Sequence, residues 1–332
     1  MKTAFKSYAQ NFEDLMLYRA LGRVERGFYI DIGAQHPEVD SVSKAFFDRG
    51  WRGVHVEPVP HYADLLRRER PGDWVIEAAA SNHVGHTTLM VFPDTGLSTT
   101  VPGVAAGHIG FGVPAPELEL EVPTVTLASI ADELSDSEVH WLKIDVEGLE
   151  KEVLQGWDPA KLRPWLVVVE SNLPNSTQSN HSEWEELLTE ADYVHVYSDG
   201  LNRFYATVER AEQLKPAFAL PPNVFDDVQL GKNSFMCREL YQDFHELTDR
   251  YEAEIKTLLA QIKQSDLRHQ AMLKSLSWRI TLPLRSVLNF LSFAIRKKDA
   301  ASLFADRQQP PLSPGTRAWL AKIDVAAEDS HT

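Results

Sequence analysis

Phe28-Tyr29-Ile30-Asp31-Ile32-Gly33-Ala34 is the stretch from which the fold of this chain can be read. An aromatic and β-branched run carries one acid, Asp31, and ends at a glycine. Runs of this kind belong to strands buried on both faces of a parallel sheet. Others follow at Gly53–Glu57, Trp74–Ala80, Val139–Val146, Leu166–Glu170, Tyr193–Tyr197 and Arg203–Val208. Helical patterns at Ser43–Arg49, His61–Arg70, Leu149–Leu154 and Ser182–Ala191 lie between them. The alternation specifies a doubly wound α/β fold with a mostly parallel sheet. Only Ser198–Asn202 separates the last two runs, too little for a crossover, so they are expected to form a C-terminal antiparallel hairpin. The stretch His83–Pro123 breaks the rhythm with Gly96, Gly103, Gly107, Gly110 and Gly112. It is expected to be a strand, Thr87–Phe92, followed by a long mobile loop, a candidate substrate lid.

The chemistry sits at the strand ends. Ligands of an open parallel sheet bind outside the carboxyl ends of its strands, at the topological switch point. Asp31-Ile32-Gly33-Ala34 closes the first run, and Glu57-Pro58 closes the second about 25 residues later. Glycine lets the backbone approach a ligand, and an acid such as Glu57 can accept both hydroxyls of a ribose. An adenosine-bearing cofactor fits. A dinucleotide needs a G-x-G-x-x-G turn, but Gly33 is followed by no glycine before Gly50. A pyrophosphate has no seat there, whereas a methionine-bearing cofactor needs none. Ala78-Ala79-Ala80-Ser81-Asn82 ends the third run, leaving a slot for adenine, with Ser81 or Asn82 at its edge. Lys143-Ile144-Asp145-Val146-Glu147-Gly148 ends the fourth, and Glu170-Ser171-Asn172 the fifth. Asp145 and Glu170 therefore share a rim. They can chelate a divalent cation such as Mg2+, or one of them can act as general base. Alternatively, one orients the cofactor and the other bonds to backbone. Glu147 is expected to begin the next helix, where a carboxylate complements the dipole. His36 is a further candidate base; His195, inside a strand, is a weaker one.

Composition narrows the context. Hydrophobic residues make up 43% and charged residues 24%, as in a globular protein. One cysteine, Cys237, excludes an internal disulfide and a multi-cysteine metal site and points to a reducing compartment. Met1–Gln10 has no apolar core, and no apolar run reaches the ~20 residues of a membrane span. A cytoplasmic location is the expectation. The net charge is −15, which argues against nucleic-acid binding. Residues 263–298 nevertheless carry eight Lys/Arg against one acid.

Residues 1–235 form the expected catalytic domain. Phe244, Leu247, Tyr251, Ile255, Leu258 and Ile262 recur with a period near 3.6, so 236–276 reads as one long amphipathic helix, a stalk or coiled coil. Two consecutive steps of four depart from a strict heptad. Residues 277–298, with Trp278, Leu284, Val287, Leu288, Leu291 and Ile295 among basic residues, form a basic amphipathic segment too short to span a bilayer. It suits an anionic inner-membrane surface or a docking partner. Residues 299–332 are expected to be a disordered tail.

Taken in order, Tyr8–Asp14, Tyr29–Ala34, Gly50–Pro58, Ala79–Asn82 and Trp141–Gly148 resemble the FkbM family of S-adenosylmethionine-dependent methyltransferases, over roughly residues 5–210. The resemblance implies a class I methyltransferase, Rossmann-like fold and O-methylation of a sugar or natural-product hydroxyl. It places Gln10, Glu13, Asp31, Gly33, Glu57, Ser81 and Asp145 around S-adenosyl-L-methionine; the strand-end reading adds Ala34 and Asn82. Asp199–Tyr205 resembles family members of bacterial glycan pathways, and Ser277–Arg285 resembles tails of polysaccharide glycosyltransferases and their partners. The leading expectation is methylation of a cell-surface polysaccharide or its lipid-linked precursor, with a glycosyltransferase or a second copy as partner of the C-terminal helix. The alternatives are tailoring of a diffusible small molecule and a non-catalytic scaffold of a glycan-assembly complex.

Overall fold

The computed structural model describes residues 4–92, 95–116, 118–134, 137–174, 176–231, 234–289 and 292. The chain divides into two units, Met1–Phe244 and His245–Thr332. In the first come β1 (Phe5–Ser7), α1 (Glu13–Leu21), β2 (Phe28–Ile32), α2 (Lys44–Phe47), β3 (Arg52–Val56), α3 (Pro60–Glu69) and β4 (Trp74–Ile76). Next are β5 (Ala79–Ala80), β6 (Gly85–Val91), α4 (Pro102–Gly110), β7 (Leu118–Val125), α5 (Leu127–Leu134), β8 (Trp141–Ile144) and α6 (Glu150–Gln155). Then follow β9 (Leu166–Glu170), α7 (Glu185–Glu190), β10 (Tyr193–Ser198), β11 (Asn202–Thr207), α8 (Val208–Leu214) and β12 (Val228–Leu230). The long helix α9 (Arg238–Lys274) and the short α10 (Leu276–Ile280) complete the set, and residues 282–289 are helical again.

Seven strands form the main sheet in the order β10-β11-β9-β8-β2-β3-β4. β4, β3, β2, β8 and β9 run parallel, β11 lies antiparallel to β9, and β10 pairs antiparallel with β11 as a hairpin. The strand period of two divides the core between the faces. Ile30, Ile32, Val54, Val56, Leu142, Ile144, Val167 and Val169 pack with Leu127 and Ile130 of α5, Val153 of α6 and Leu188 of α7. Tyr29, Trp141, Leu166, Val168 and Phe204 face the other way, onto Met16 and Leu17 of α1. Each fully buried aliphatic side chain contributes roughly 1.5–3 kcal/mol over its exposed state. The same alternation puts Asp31 and Lys143 on the face of Tyr29 and Trp141. The register sets Asp31 beside Lys143 on one neighbouring strand and His55 on the other.

Two expectations need correction. Trp74–Ala80 is not one strand. The main sheet keeps only Trp74–Ile76; Glu77 turns outward to Arg67, and Ala79–Ala80 pair with Thr124–Val125 of β7. Nor is His83–Pro123 a strand followed by a structureless loop. β6 and β7 pair antiparallel from Gly85–Thr124 to Val91–Leu118, and α4 lies between them. Gly103, Gly107 and Gly110 lower the helix propensity of α4. It forms in this setting because Ala105 and His108 are buried, the latter edge-on to Phe92 at 5.3 Å between ring centroids. A small sheet also joins β1 in parallel to β12. No described helix is long and apolar enough to cross a membrane. Most of the end of the basic segment, and the tail 299–332, lie outside the described residues.

Candidate functional site

From β2 the chain proceeds to β3 and β4 on one side, then returns to β8 on the other. This reversal is the switch point at which a crevice opens beyond the carboxyl ends of the strands. A cavity of about 350 Å³ occupies it. Asp31, Gly33, Ala34 and Glu57 line it from β2 and β3, Asp145 and Glu147 from the loop after β8, and Glu170 from β9. Gln10 and Glu13 reach it from the N-terminal segment, and Thr95–Thr100 from the connection between β6 and α4. That connection touches the loop after β8 directly, since Thr99 Oγ1 donates to the Glu147 carbonyl at 3.1 Å.

Gly33 adopts a left-handed conformation, φ 78°, which only glycine takes freely. Its amide donates to the Val56 carbonyl at 2.9 Å, and the Asp145 amide donates to Ile32 at 3.1 Å. The turns after β2 and β8 are thus pressed together at the cavity floor. The Glu57 carboxylate is fixed by backbone amides, Gln35 N–H on one oxygen and Val59 N–H on the other, each at 2.8 Å. Each oxygen thus keeps one lone pair uncommitted, on a side chain that lines the cavity. Burial raises the Glu57 carboxyl to about 7 in spite of those two donors. Glu13, which accepts from Asn11 N–H at 2.8 Å and Asn202 Nδ2 at 2.9 Å, is likewise pushed by burial, with Asp199 adding to it, to about 7.

Among the described residues seven acids line the cavity, Glu13, Asp31, Asp40, Glu57, Asp145, Glu147 and Glu170, against the single ammonium of Lys143. Lys143 is 6% exposed and donates to Asp145 Oδ2 at 2.5 Å. Burial by itself would lower its pKa, but Asp145, Asp31 and Glu13 outweigh that and hold it above the ordinary range. Asp145, Glu147 and Glu170 each offer a carboxylate oxygen within 4.8 Å of the others. Burial, and then mutual repulsion with Asp145 and Glu147, raises Glu170 well above the usual carboxylate range, and Glu147 shifts the same way. Glu170 Oε2 is buried with no protein partner. Such a site suits a cationic ligand or a transferable proton and opposes phosphate.

Some expected residues are elsewhere. Ser81 and Asn82 do not line the cavity. They lie past the departure of β5 from the main sheet, where Ser81 Oγ meets His83 and Asn82 Nδ2 donates to Gln155 at 3.3 Å. The wall there is made by Ala78–Ala80, with Val59, Tyr62 and Leu89. His36 also lies outside the lining; its Nδ1 accepts the Glu38 and Val39 amides, both at 3.0 Å, so it staples its own turn. His195 bonds Ser198 on the edge strand. Glu147 does not cap the helix after β8. It sits at φ 53° in the acidic cluster, while Glu150 accepts the Gly148 amide at 3.1 Å at that helix start. Lys143, Glu147 and Asp40 were not among the residues expected to act. A lone lysine within an apolar run was the available signal for the first.

The buried acids set a pH dependence. Glu13, Glu57 and Glu150 titrate near 7 in the folded chain, against an ordinary value of 4.5. Between these values the native state binds more protons than the unfolded state, so stability falls as pH rises. Thermal melts of the ligand-free protein are expected to show a higher midpoint at pH 5.5 than at pH 8. A flat or rising profile would show these acids ionised at no cost.

Residues 31–194 match the family model described as "Methyltransferase FkbM domain". Among solved structures, the chain is similar to precorrin-6y C5,15-methyltransferase from Geobacter metallireducens GS-15, at 13% identity and a TM-score of 0.30, over 58% of this chain and 84% of that one. It is also similar to 1,6-didemethyltoxoflavin-N1-methyltransferase from Burkholderia thailandensis, solved with 1,6-didemethyltoxoflavin and S-adenosylhomocysteine. There the identity is 15% and the TM-score 0.28, over 58% and 75% of the two chains. No curated protein matches. Most of the acid-lined crevice at the switch point, from Asp31 to Glu170, therefore lies within the segment 31–194 that matches the methyltransferase FkbM domain.

Proposed function

We propose that this chain uses S-adenosyl-L-methionine to methylate a hydroxyl oxygen on a sugar of a bacterial cell-surface polysaccharide or its lipid-linked precursor. The observation that carries the cofactor is the acidic character of the cavity at the sheet's switch point, where the described lining has seven acids and one ammonium. The bound cofactor supplies a methyl group on a positively charged sulfur, and its ammonium adds a second cation to an acidic site. Glu57 accepts its ribose hydroxyls, and Ala79, Val59 and Leu89 form the apolar slot for its adenine. Gly33 keeps the floor free of side chains, while Asp31 and Glu13 face its amino-acid end. Transfer to a hydroxyl oxygen releases one proton, and Glu170 is the group placed to take it. Its buried Oε2, which has no hydrogen-bond partner in the protein, is open to that proton. Asn172 and Ser176, on the same side of the cavity, offer hydrogen bonds to a polyhydroxylated acceptor. The basic segment at 277–298 supports a substrate held at the inner-membrane surface, with the enzyme peripheral to it on the cytoplasmic side.

Two measurements test this reading. Calorimetry is expected to detect S-adenosylmethionine binding more tightly than S-adenosylhomocysteine, since the product has lost the sulfonium charge; absence of heat with either sinks the cofactor assignment. Glu170→Gln is expected to lower labelled-methyl incorporation into the glycan fraction of cells lacking this protein by about 10²–10⁴-fold. Cofactor affinity should stay within about threefold of wild type on the same reasoning. Equal incorporation by variant and wild type would remove Glu170 as the base.

A second reading rests on the geometry of Asp145, Glu147 and Glu170, which can hold Mg2+ to acidify the hydroxyl. Lys143 already occupies Asp145 Oδ2, which favours the metal-free base. Methyl transfer is accordingly expected to persist in EDTA. A fall restored by Mg2+ would assign the three carboxylates to a cation instead.

A further inference from the structure

The helix α9 leaves an apolar stripe without a partner in the described structure. Leu247, Tyr251, Ile255, Leu258 and Ile262 lie along one side of it, each 43–58% exposed. Their spacings of four, four, three and four average 3.75, nearer the 11-residue repeat of a right-handed supercoil than the heptad of a left-handed one. A contiguous exposed apolar surface of this kind marks an interaction site. Two features identify what covers it.

The first is symmetry. Reversing the helix about a point midway between Glu254 and Ile255 carries Leu247 onto Ile262 and Tyr251 onto Leu258, and moves Ile255 by one residue. The stripe is therefore almost its own antiparallel complement. The second is charge. Residues 238–256 carry six acids against three Lys/Arg, a net of −3. Residues 257–274 carry Lys263, Arg268 and Lys274 against Asp266 alone, a net of +2. Parallel pairing would set acidic half on acidic half and basic on basic. Antiparallel pairing places the acidic half of one helix on the basic half of the next, Glu246 level with Lys263, and also opposes the two helix dipoles.

We infer that α9 pairs antiparallel with α9 of a second copy of this chain, closing the apolar stripes around the Glu254–Ile255 midpoint. An anionic membrane would attract only the basic half of α9 and would leave the apolar stripe of its acidic half uncovered, so the second copy is the occupant the charge pattern favours.

The test uses the full chain. Sedimentation at micromolar concentration is expected to give a dimer, and the exposed-face double variant Ile255→Glu/Leu258→Glu a monomer with an unchanged melt of the first unit. Orientation is read by spin labels. A label on Cys237, the sole cysteine, should sit roughly 50 Å from its mate, from 1.5 Å of rise per residue along an antiparallel pair. Cys237→Ser/Lys274→Cys should read a distance of roughly 55–60 Å, and Cys237→Ser/Lys256→Cys one under roughly 20 Å, by the same rise. Short distances at all three positions would overturn the antiparallel arrangement. A monomeric wild type would overturn self-association, including one that floats with anionic vesicles only through an intact stripe. A dimer that survives the double variant would show that another surface holds it.

Discussion

Alanine at position 33 is expected to collapse both the stability and the cofactor site of this protein. Gly33 sits at φ 78°, and a Cβ built on it would lie 1.8 Å from the Asp145 carbonyl oxygen. That oxygen belongs to backbone, so no rotamer change relieves the clash. The left-handed conformation adds about 1–2 kcal/mol for a side-chain-bearing residue, and overpacking typically adds ~1–3 kcal/mol. The sum, about 2–5 kcal/mol, corresponds to a fall in thermal midpoint of roughly 5–20 °C for a domain of this size. The turns after β2 and β8 must also separate, and these carry Asp31 and Asp145 at the cavity floor. S-adenosylmethionine affinity in calorimetry is therefore expected to drop by at least about tenfold, the equivalent of ~1.4 kcal/mol. A Gly33→Ala variant with a wild-type melt and wild-type affinity would show that the two turns are free to move apart.

Lys143→Met should come next in size, with a dependence on pH that a packing defect would not show. Methionine keeps most of the lysine's volume, so the loss is that of a charge. Asp145 loses its 2.5 Å partner, and Asp31 and Glu13 lose the ammonium that offsets them. Removing one side of a buried ion pair typically costs about 3–5 kcal/mol. At pH 8 Glu13 must be ionised without that compensation. At pH 5.5 Glu13, already raised by burial to about 7, is protonated and the missing ammonium costs less. Urea melts are therefore expected to show a large gap between variant and wild type at pH 8 and a smaller one at pH 5.5. An equal gap at both pH values would mean that Lys143 acts through packing alone.

The parallel strands were legible because they are buried on both faces. Phe28–Ile32, Leu166–Glu170 and the segment around Trp141–Ile144 read as strands with no knowledge of their neighbours. The five-residue stretch Ser198–Asn202 between the two runs made the antiparallel pairing of β10 and β11 legible too. The small strands were not. β1, β5 and β12 have three residues or fewer, with no alternation to detect, and each is defined by a distant partner. α4 was missed because three glycines suggest a loop; its helix depends on the burial of Ala105 and His108.

At the site, the same division holds. Asp31, Glu57, Asp145 and Glu170 were placed on one rim by local sequence, since each ends a recognisable strand and parallel strands end on the same side. Their functions relative to one another came from elsewhere. Strand order set Lys143 beside Asp31 and brought Glu170 to Asp145. Backbone torsion at residue 147 turned Glu147 into the acidic cluster instead of the helix start. The early exit of β5 took Ser81 and Asn82 off the cavity wall, and a local amide staple occupied His36. The sequence alone determined which chemical groups reach the carboxyl edge of the sheet, because a strand's period and its end are local properties. Only the tertiary structure decided which of those groups meet, because contacts between strands far apart in sequence depend on sheet order, register and the conformation of the turns that follow.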